Sequence, residues 1–194
     1  MFISHADEIL FIHVPKTAGS AIHIYFKDHY GLVGNQRADP LPEIHHMSYT
    51  DILKQNPTLK TYFSFGFVRN PWDRLLSGFL DFKQNRRQFR EIDFKYFVQH
   101  IQDLGILNDV HFRSQKQFLV DGENSVNFIG RFENLINDFA AICNKANINL
   151  TPLHKHRTTK HKKYTEYYDK EMIKIVENIF KEDIKYFNYE FGAK

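Results

Sequence analysis

A chain of 194 residues with 42% apolar content can bury one sizeable core, and a net charge of +3 is too small to mark a dedicated nucleic-acid binder. The single cysteine, Cys143, excludes an intrachain disulfide and reads as a core thiol on a helix, while 19 Phe and 10 Tyr announce an aromatic core. No run of about 18 apolar residues and no apolar segment near Met1 point to a membrane span or secretory signal, so one soluble, cytoplasmic domain over residues 1–194 is expected.

In chain order, residues 9–14 form a short, nearly continuous apolar run, as in a central parallel strand. The run breaks at Pro15 and passes through Lys16-Thr17-Ala18-Gly19-Ser20 into a helical pattern over residues 21–30. A strand, a tight turn and a helix start together make an anion site. Main-chain N–H groups and the positive end of the helix dipole face the turn. Lys16 adds a full charge, and Thr17 and Ser20 add hydroxyl donors.

Residues 31–42 hold Gly, Asn, Asp and two prolines and read as a loop. Ser48 with Asp51 three residues on resembles a capping box that opens a short helix ending before Pro57. Residues 61–68 form the second strong strand. It runs into Arg69-Asn70-Pro71, where Asn70 suits an N-cap and Pro71 a first helical position, and the helix should reach about Gln84.

Residues 85–91 are a charged surface segment, residues 93–104 are helical, and residues 110–119 read ambiguously. Asp121-Gly122 is a turn, residues 126–129 a third strand, and residues 135–146 a helix. Residues 154–163 form a basic loop, and one long helix is expected from Asp169 toward Tyr186. Strands alternating with helices argue α/β with a mainly parallel central sheet flanked by helices. In such sheets ligands sit beyond the carboxyl ends of the strands, where both Lys16 and Arg69 fall.

The first turn is not a Walker A motif, because its lysine stands at the start and not after the second glycine. An ordinary nucleoside-triphosphate kinase is therefore disfavoured. An Arg fork at Arg69 with the hydroxyl of Ser77 two turns on suits a second phosphate.

Taken together, Val14-Pro15-Lys16-Thr17-Ala18-Gly19-Ser20 and Val68-Arg69-Asn70-Pro71 with Ser77 resemble the two cofactor motifs of sulfotransferases that use 3′-phosphoadenosine 5′-phosphosulfate. The branch most similar is that of heparan-sulfate 2-O- and chondroitin-type carbohydrate sulfotransferases, with this chain a short, soluble, microbial-like member. His45-His46-Met47, Phe128-Ile129-Gly130-Arg131-Phe132-Glu133-Asn134-Leu135 and the ending 182–189 also resemble that family, so the likeness runs over residues 9–191.

The resemblance implies a P-loop-like three-layer fold and transfer of a sulfuryl group to an acceptor hydroxyl, on a carbohydrate or glycolipid. It implies that Pro15, Lys16, Thr17, Ala18, Gly19, Ser20 and Ala21 bind the 5′-phosphosulfate, and that Arg69 and Ser77 bind the 3′-phosphate. Lys16 and His46 become the catalytic candidates. An imidazole with an ordinary pKa of about 6.5 suits a base near neutral pH. His45 is the rival base, and Glu43 is available if neither histidine points inward.

Arg157 and Tyr164 are candidate nucleotide contacts in and after the basic loop, which could instead attract an anionic acceptor or stay solvated. His111 and Arg113, with Gln115, resemble a stretch near the family's acceptor cleft. No metal is expected, since the histidines of the basic loop have no cysteine partners and no H-E-x-x-H pattern occurs. Two other readings stay open: a small-molecule kinase using the same phosphate turn, and a non-catalytic polyanion binder acting through residues 154–163.

Overall fold

The computed structural model describes residues 1–30, 46–153 and 162–193. Glu43, His45 and Arg157 lie outside the described residues. The chain opens with β1 (Phe2–Ser4), β2 (Ile9–Ile12), α1 (Gly19–His29) and α2 (Tyr49–Gln55). Next come β3 (Phe63–Val68), α3 (Pro71–Gln84), α4 (Phe94–Gln99) and α5 (Lys116–Leu119). A small hairpin, β4 (Val120–Asp121) and β5 (Asn124–Ser125), precedes β6 (Phe128–Arg131) and α6 (Leu135–Lys145). The described chain ends with α7 (Lys170–Ile179) and α8 (Lys181–Phe187). No described helix is long and apolar enough to cross a membrane.

Two compact units emerge: Met1–Val68 with Gln117–Arg157, and Arg69–Lys116 with Thr158–Lys194. The first unit holds a four-stranded sheet in the order β1-β2-β3-β6. β2, β3 and β6 are parallel, with Ile12 opposite Gly66 and Val68 opposite Arg131, and β1 adds an antiparallel edge. The expected α/β class with a mainly parallel sheet is thus borne out.

All four residues of β2 are fully buried, as expected of a strand covered on both faces. On one face Phe11, Phe65 and Phe67 meet Ile22 and Phe26 of α1 and Phe139, Ile142 and Cys143 of α6. Cys143 is the buried helical thiol expected, and burial raises its pKa. Phe11 stacks on Phe65 at 5.1 Å and Phe26 on Phe2 at 4.7 Å, so rings fill this layer. On the other face Leu119 sits against Gly66. Ser64 is a buried polar residue within β3. The Asn127 Oδ1 accepts from its N–H at 2.7 Å and its hydroxyl at 2.8 Å, which ties the start of β3 to the residue before β6.

The second unit packs α3 against α4 and α7. Trp72, Leu75, Leu76 and Phe79 form the inner face of α3, with Phe97, Val98, Phe112, Met172 and Val176 opposite. Trp72 is fixed further by its Nε1–H donating to the Ile173 carbonyl at 3.1 Å, and its own carbonyl accepts from the Tyr168 hydroxyl at 2.7 Å. Burial of that Tyr168 hydroxyl holds it well above its ordinary pKa.

Several expected boundaries move. Helix α1 starts at Gly19 because the Ala18 carbonyl already accepts from the N–H of Ala21 and Ile22. Strand β3 starts at Phe63, since Pro57–Thr61 closes a 3₁₀ turn capped by Asn56. Strand β6 lies two residues later than expected, because the Val126 N–H donates to Leu119 and is held by the hairpin. Helix α4 stops at Gln99, five residues short of the expected end. Within residues 110–119 only Lys116–Leu119 is helical. The single helix expected from Asp169 is two, broken at Phe180, whose backbone leaves the helical region. Ser48 and Asn70 cap α2 and α3 as expected.

Gly130 marks a tight place in the sheet. A methyl group there would lie 2.7 Å from Cδ1 and 2.9 Å from Cζ of the Phe67 ring. Phe67 is fully buried and cannot swing away. Gly130→Ala is expected to lower stability by about 1–3 kcal/mol through overpacking. Urea unfolding should show a lower midpoint with an unchanged slope.

Candidate active site

The turn after β2 departs from ordinary backbone geometry twice. Lys16 has φ 69° and Ala18 has φ 67°, both in the left-handed region that non-glycine residues avoid at a cost of roughly 1–2 kcal/mol each. Strain of this kind persists only where the surroundings hold it, and it concentrates at functional turns. Here the holding groups are visible. Thr17 is fully buried and its hydroxyl donates to the Val14 carbonyl at 2.9 Å, closing the turn on itself. Thr17 was expected to offer that hydroxyl to a ligand; the structure assigns it to the turn. Ser20 and Lys16 are half-buried.

Helix α1 follows at once. Among the described residues no side chain caps its N-terminus, and no acidic residue stands in its first turn. The first turn of α1 therefore adds no carboxylate of its own to the positive dipole end of the helix. Gly19 is required for packing and not for its own φ, because a methyl group there would overlap the His13 ring.

His13 joins the turn to His46. The two rings lie 4.6 Å apart at 57°, and His46 Nδ1 stands 3.1 Å from the His13 carbonyl oxygen. A carbonyl can only accept, so this contact puts the proton on Nδ1 of His46. In the neutral ring the lone pair is then on Nε2, where a general base needs it. The sequence points to His46 and marks no role for His13. The available signal was a ring-bearing polar residue at the end of an otherwise apolar strand.

Arg69 follows β3 directly and is 7% exposed. Its Nε–H donates to Asp73 Oδ2 at 2.9 Å, one turn along α3. Ser77 lies on α3 and is 4% exposed. Behind them sits Arg74, 3% exposed, which donates to the His111 carbonyl at 3.1 Å. Burial brings the Arg74 guanidinium down to about 10, opposed by the charge of Asp183 and assisted by that of Arg69.

The expected acceptor contacts occupy different surroundings. His111 holds Asp109 Oδ1 at 2.7 Å through Nδ1 and Arg86 at 2.6 Å through Nε2, with its ring edge on Phe82. Burial raises the Asp109 carboxyl, but hydrogen bonds from the His111 main chain and ring outweigh it and hold the pKa below its ordinary value. Arg113 is exposed. Gln115 is fully buried, and both ends of its amide bond the main chain of Arg69. Tyr164 is half-buried, with its hydroxyl accepting from the Gly192 N–H at 2.7 Å and its ring against Phe191. Among the described residues no group of three or more His, Cys, Asp or Glu could hold a metal ion.

A strand, a strained lysine turn and an uncapped helix start define an α/β protein with an anion-type turn at the end of a parallel strand. Over residues 1–190 the chain matches the model of the sulfotransferase family, and it belongs to that family. Carbohydrate sulfotransferase 10 of Homo sapiens and that of Pongo abelii are each 26% identical to it over 137 aligned positions. Those alignments cover 53% of this chain and 38% of either relative, so the chain spans well under half of their length. Among solved structures, mouse sulfotransferase SULT7A1 complexed with PAP is similar at a TM-score of 0.49 and 14% identity, over 95% of this chain and 86% of the other.

The contact of Gly19 with His13, and of His13 with His46, makes a local prediction. Gly19→Ala should displace the His13 ring and shift the imidazole NMR signals of His13 and His46 together. Ser48→Ala, which removes the cap of α2 two residues beyond His46, should weaken that helix by about 1 kcal/mol and leave the His13 signals in place.

Proposed function

We propose that this protein transfers a sulfuryl group from 3′-phosphoadenosine 5′-phosphosulfate to an acceptor hydroxyl, by in-line displacement with His46 as the base. The observation that carries the reading is the strained Lys16 turn running into the uncapped N-terminus of α1, within a chain that matches the sulfotransferase family from residue 1 to 190. Main-chain N–H groups of residues 17–21 and the Lys16 ammonium are suited to the 5′-phosphosulfate. Arg69 and Ser77 are assigned to the 3′-phosphate, and Arg157 and Tyr164 to the remainder of the nucleotide.

In this reading His46 Nε2 takes the proton of the acceptor hydroxyl as that oxygen bonds to sulfur. The bond between sulfur and the bridging oxygen breaks, and the electron pair stays on the 5′-phosphate of the departing nucleotide. Lys16 stabilises that developing charge. It accelerates transfer only to the extent that it binds the transition state better than the bound donor. His45 and Glu43 remain the rival bases. The acceptor is assigned to hydroxylated carbohydrate or glycolipid, because the curated relatives are named carbohydrate sulfotransferases. His111 and Arg113 are placed on the acceptor side, and a cytoplasmic location is assigned.

Adenosine 3′,5′-bisphosphate at about 100 times its Kd should raise Tm by roughly 5–10 °C, whereas ATP with magnesium should leave it unchanged. The reverse result would favour a kinase and sink the assignment. His46→Ala should lower kcat by about 10²–10⁴ while leaving the thermal shift intact, which separates base chemistry from donor binding. Retention of most activity would move the base elsewhere.

A further inference from the structure

We propose that Gln115 and Asp183 are positioning residues for Arg69, so that the C-terminal helix α8 sets the selectivity of the protein for a nucleotide bearing a 3′-phosphate. The inference rests on the assignment of Arg69 to that phosphate.

The connection runs through a short chain of buried hydrogen bonds. Arg69 is the first residue beyond β3, where sheet pairing has ended. Gln115 takes over that pairing. Its Oε1 accepts from the Arg69 N–H at 2.8 Å, and its Nε2–H donates to the Arg69 carbonyl at 2.8 Å. One side-chain amide thus grips both main-chain polar groups of one residue, as a neighbouring strand would. Gln115 is fully buried with both ends of its amide engaged, so it serves Arg69 and does not meet the acceptor.

Gln115 is itself held by Asp183, which is also fully buried. Asp183 Oδ2 accepts the Gln115 N–H at 2.8 Å. Its Oδ1 accepts the Ser114 hydroxyl at 2.5 Å and the Lys116 N–H at 3.0 Å. Three donors on one carboxylate fix residues 114–116, and hence the Gln115 side chain. Burying a carboxylate is costly unless it is fully hydrogen-bonded or faces a cation, and Asp183 meets both conditions, since it also faces the Arg74 charge.

The far side of Arg69 is fixed independently by Asp73, which takes the Nε–H. The guanidinium is therefore set from two directions: the main chain through Gln115 and Asp183, and the side chain through Asp73. The adjoining residue is tied to the same C-terminal segment, since Asn70 Nδ2–H donates to the Glu190 carbonyl at 3.0 Å. A planar fork recognises phosphate only when its direction is fixed, and displacement of about 1 Å at a positioning contact is felt in binding and rate.

The test compares two nucleotides that differ only in the 3′-phosphate. Kd is measured by calorimetry for adenosine 3′,5′-bisphosphate and for adenosine 5′-phosphate, on wild type, Arg69→Ala, Gln115→Met, Gln115→Glu and the double variant Arg69→Ala/Gln115→Met. Circular dichroism fixes the folded fraction on which each Kd is based. Gln115→Met keeps the volume and removes both hydrogen bonds. Gln115→Glu keeps an acceptor for the Arg69 N–H, so one of the two variants can be read even if the other fails to fold. The expected result is that Gln115→Met weakens the bisphosphate by about tenfold and leaves the monophosphate unchanged, with a smaller loss of the same sign for Gln115→Glu. In the Arg69→Ala background Gln115→Met should add nothing to the loss for the bisphosphate.

If Arg69→Ala keeps the full preference for the bisphosphate, the assignment of Arg69 itself is wrong. If Arg69→Ala abolishes the preference but the Gln115 variants retain it, the positioning role is overturned. Equal weakening of both nucleotides, or effects that add in the double variant, would make Gln115 merely structural and overturn it as well.

Discussion

Once the chain leaves a sheet, its main-chain polar groups must still be paired, and this constraint shapes the Lys16 turn in one unit and the Arg69 segment in the other. A buried N–H or C=O left without a partner costs on the order of 1–3 kcal/mol. After β2 the Val14 carbonyl is met by the Thr17 hydroxyl, which curls the chain into a turn with two left-handed residues. After β3 the N–H and carbonyl of Arg69 are met by Gln115. In both places a side chain replaces a missing strand, and the residue it fixes is a cation assigned to the donor.

Each unit has its own aromatic core. The fully buried phenylalanines include Phe11, Phe26, Phe65, Phe67 and Phe139 in one unit and Phe97 in the other, and each loses packing if its element shifts. Glycines stand where rings or branched side chains come close to main chain: Gly66 under Leu119, Gly78 under Phe112, Gly130 under Phe67 and Gly19 under His13. The last of these couples packing to chemistry. The ring that excludes a side chain at the start of α1 is the same ring that packs on His46.

Much of this was legible in the sequence because it is local. The apolar run of β2, the Pro15-Lys16 break, the Ser48 cap and the Asn70-Pro71 helix start all depend on residues within a few positions of one another. Edge strand β1 was not legible, since three residues carry no measurable period. The break at Phe180 was hidden because the apolar residues of α7 and α8 keep a helical phase across it. The roles of Gln115 and Asp183 were beyond reach for a different reason. Asp183 lies 68 positions from Gln115, and Gln115 lies 46 from Arg69, so neither contact leaves a trace in local spacing. His13 fell between these cases: it was visible as a residue, but its partner His46 stands 33 positions away.

The role proposed for the Lys16 turn and His46 is sulfuryl transfer to a hydroxyl. It is tested most directly by incubating the protein with 3′-phosphoadenosine 5′-phosphosulfate labelled in the sulfuryl group, against a panel of hydroxylated glycans and glycolipids. Label should appear on an acceptor oxygen, with one adenosine 3′,5′-bisphosphate released for each group transferred. No label on any acceptor, together with transfer of labelled phosphate from ATP to the same panel, would contradict it.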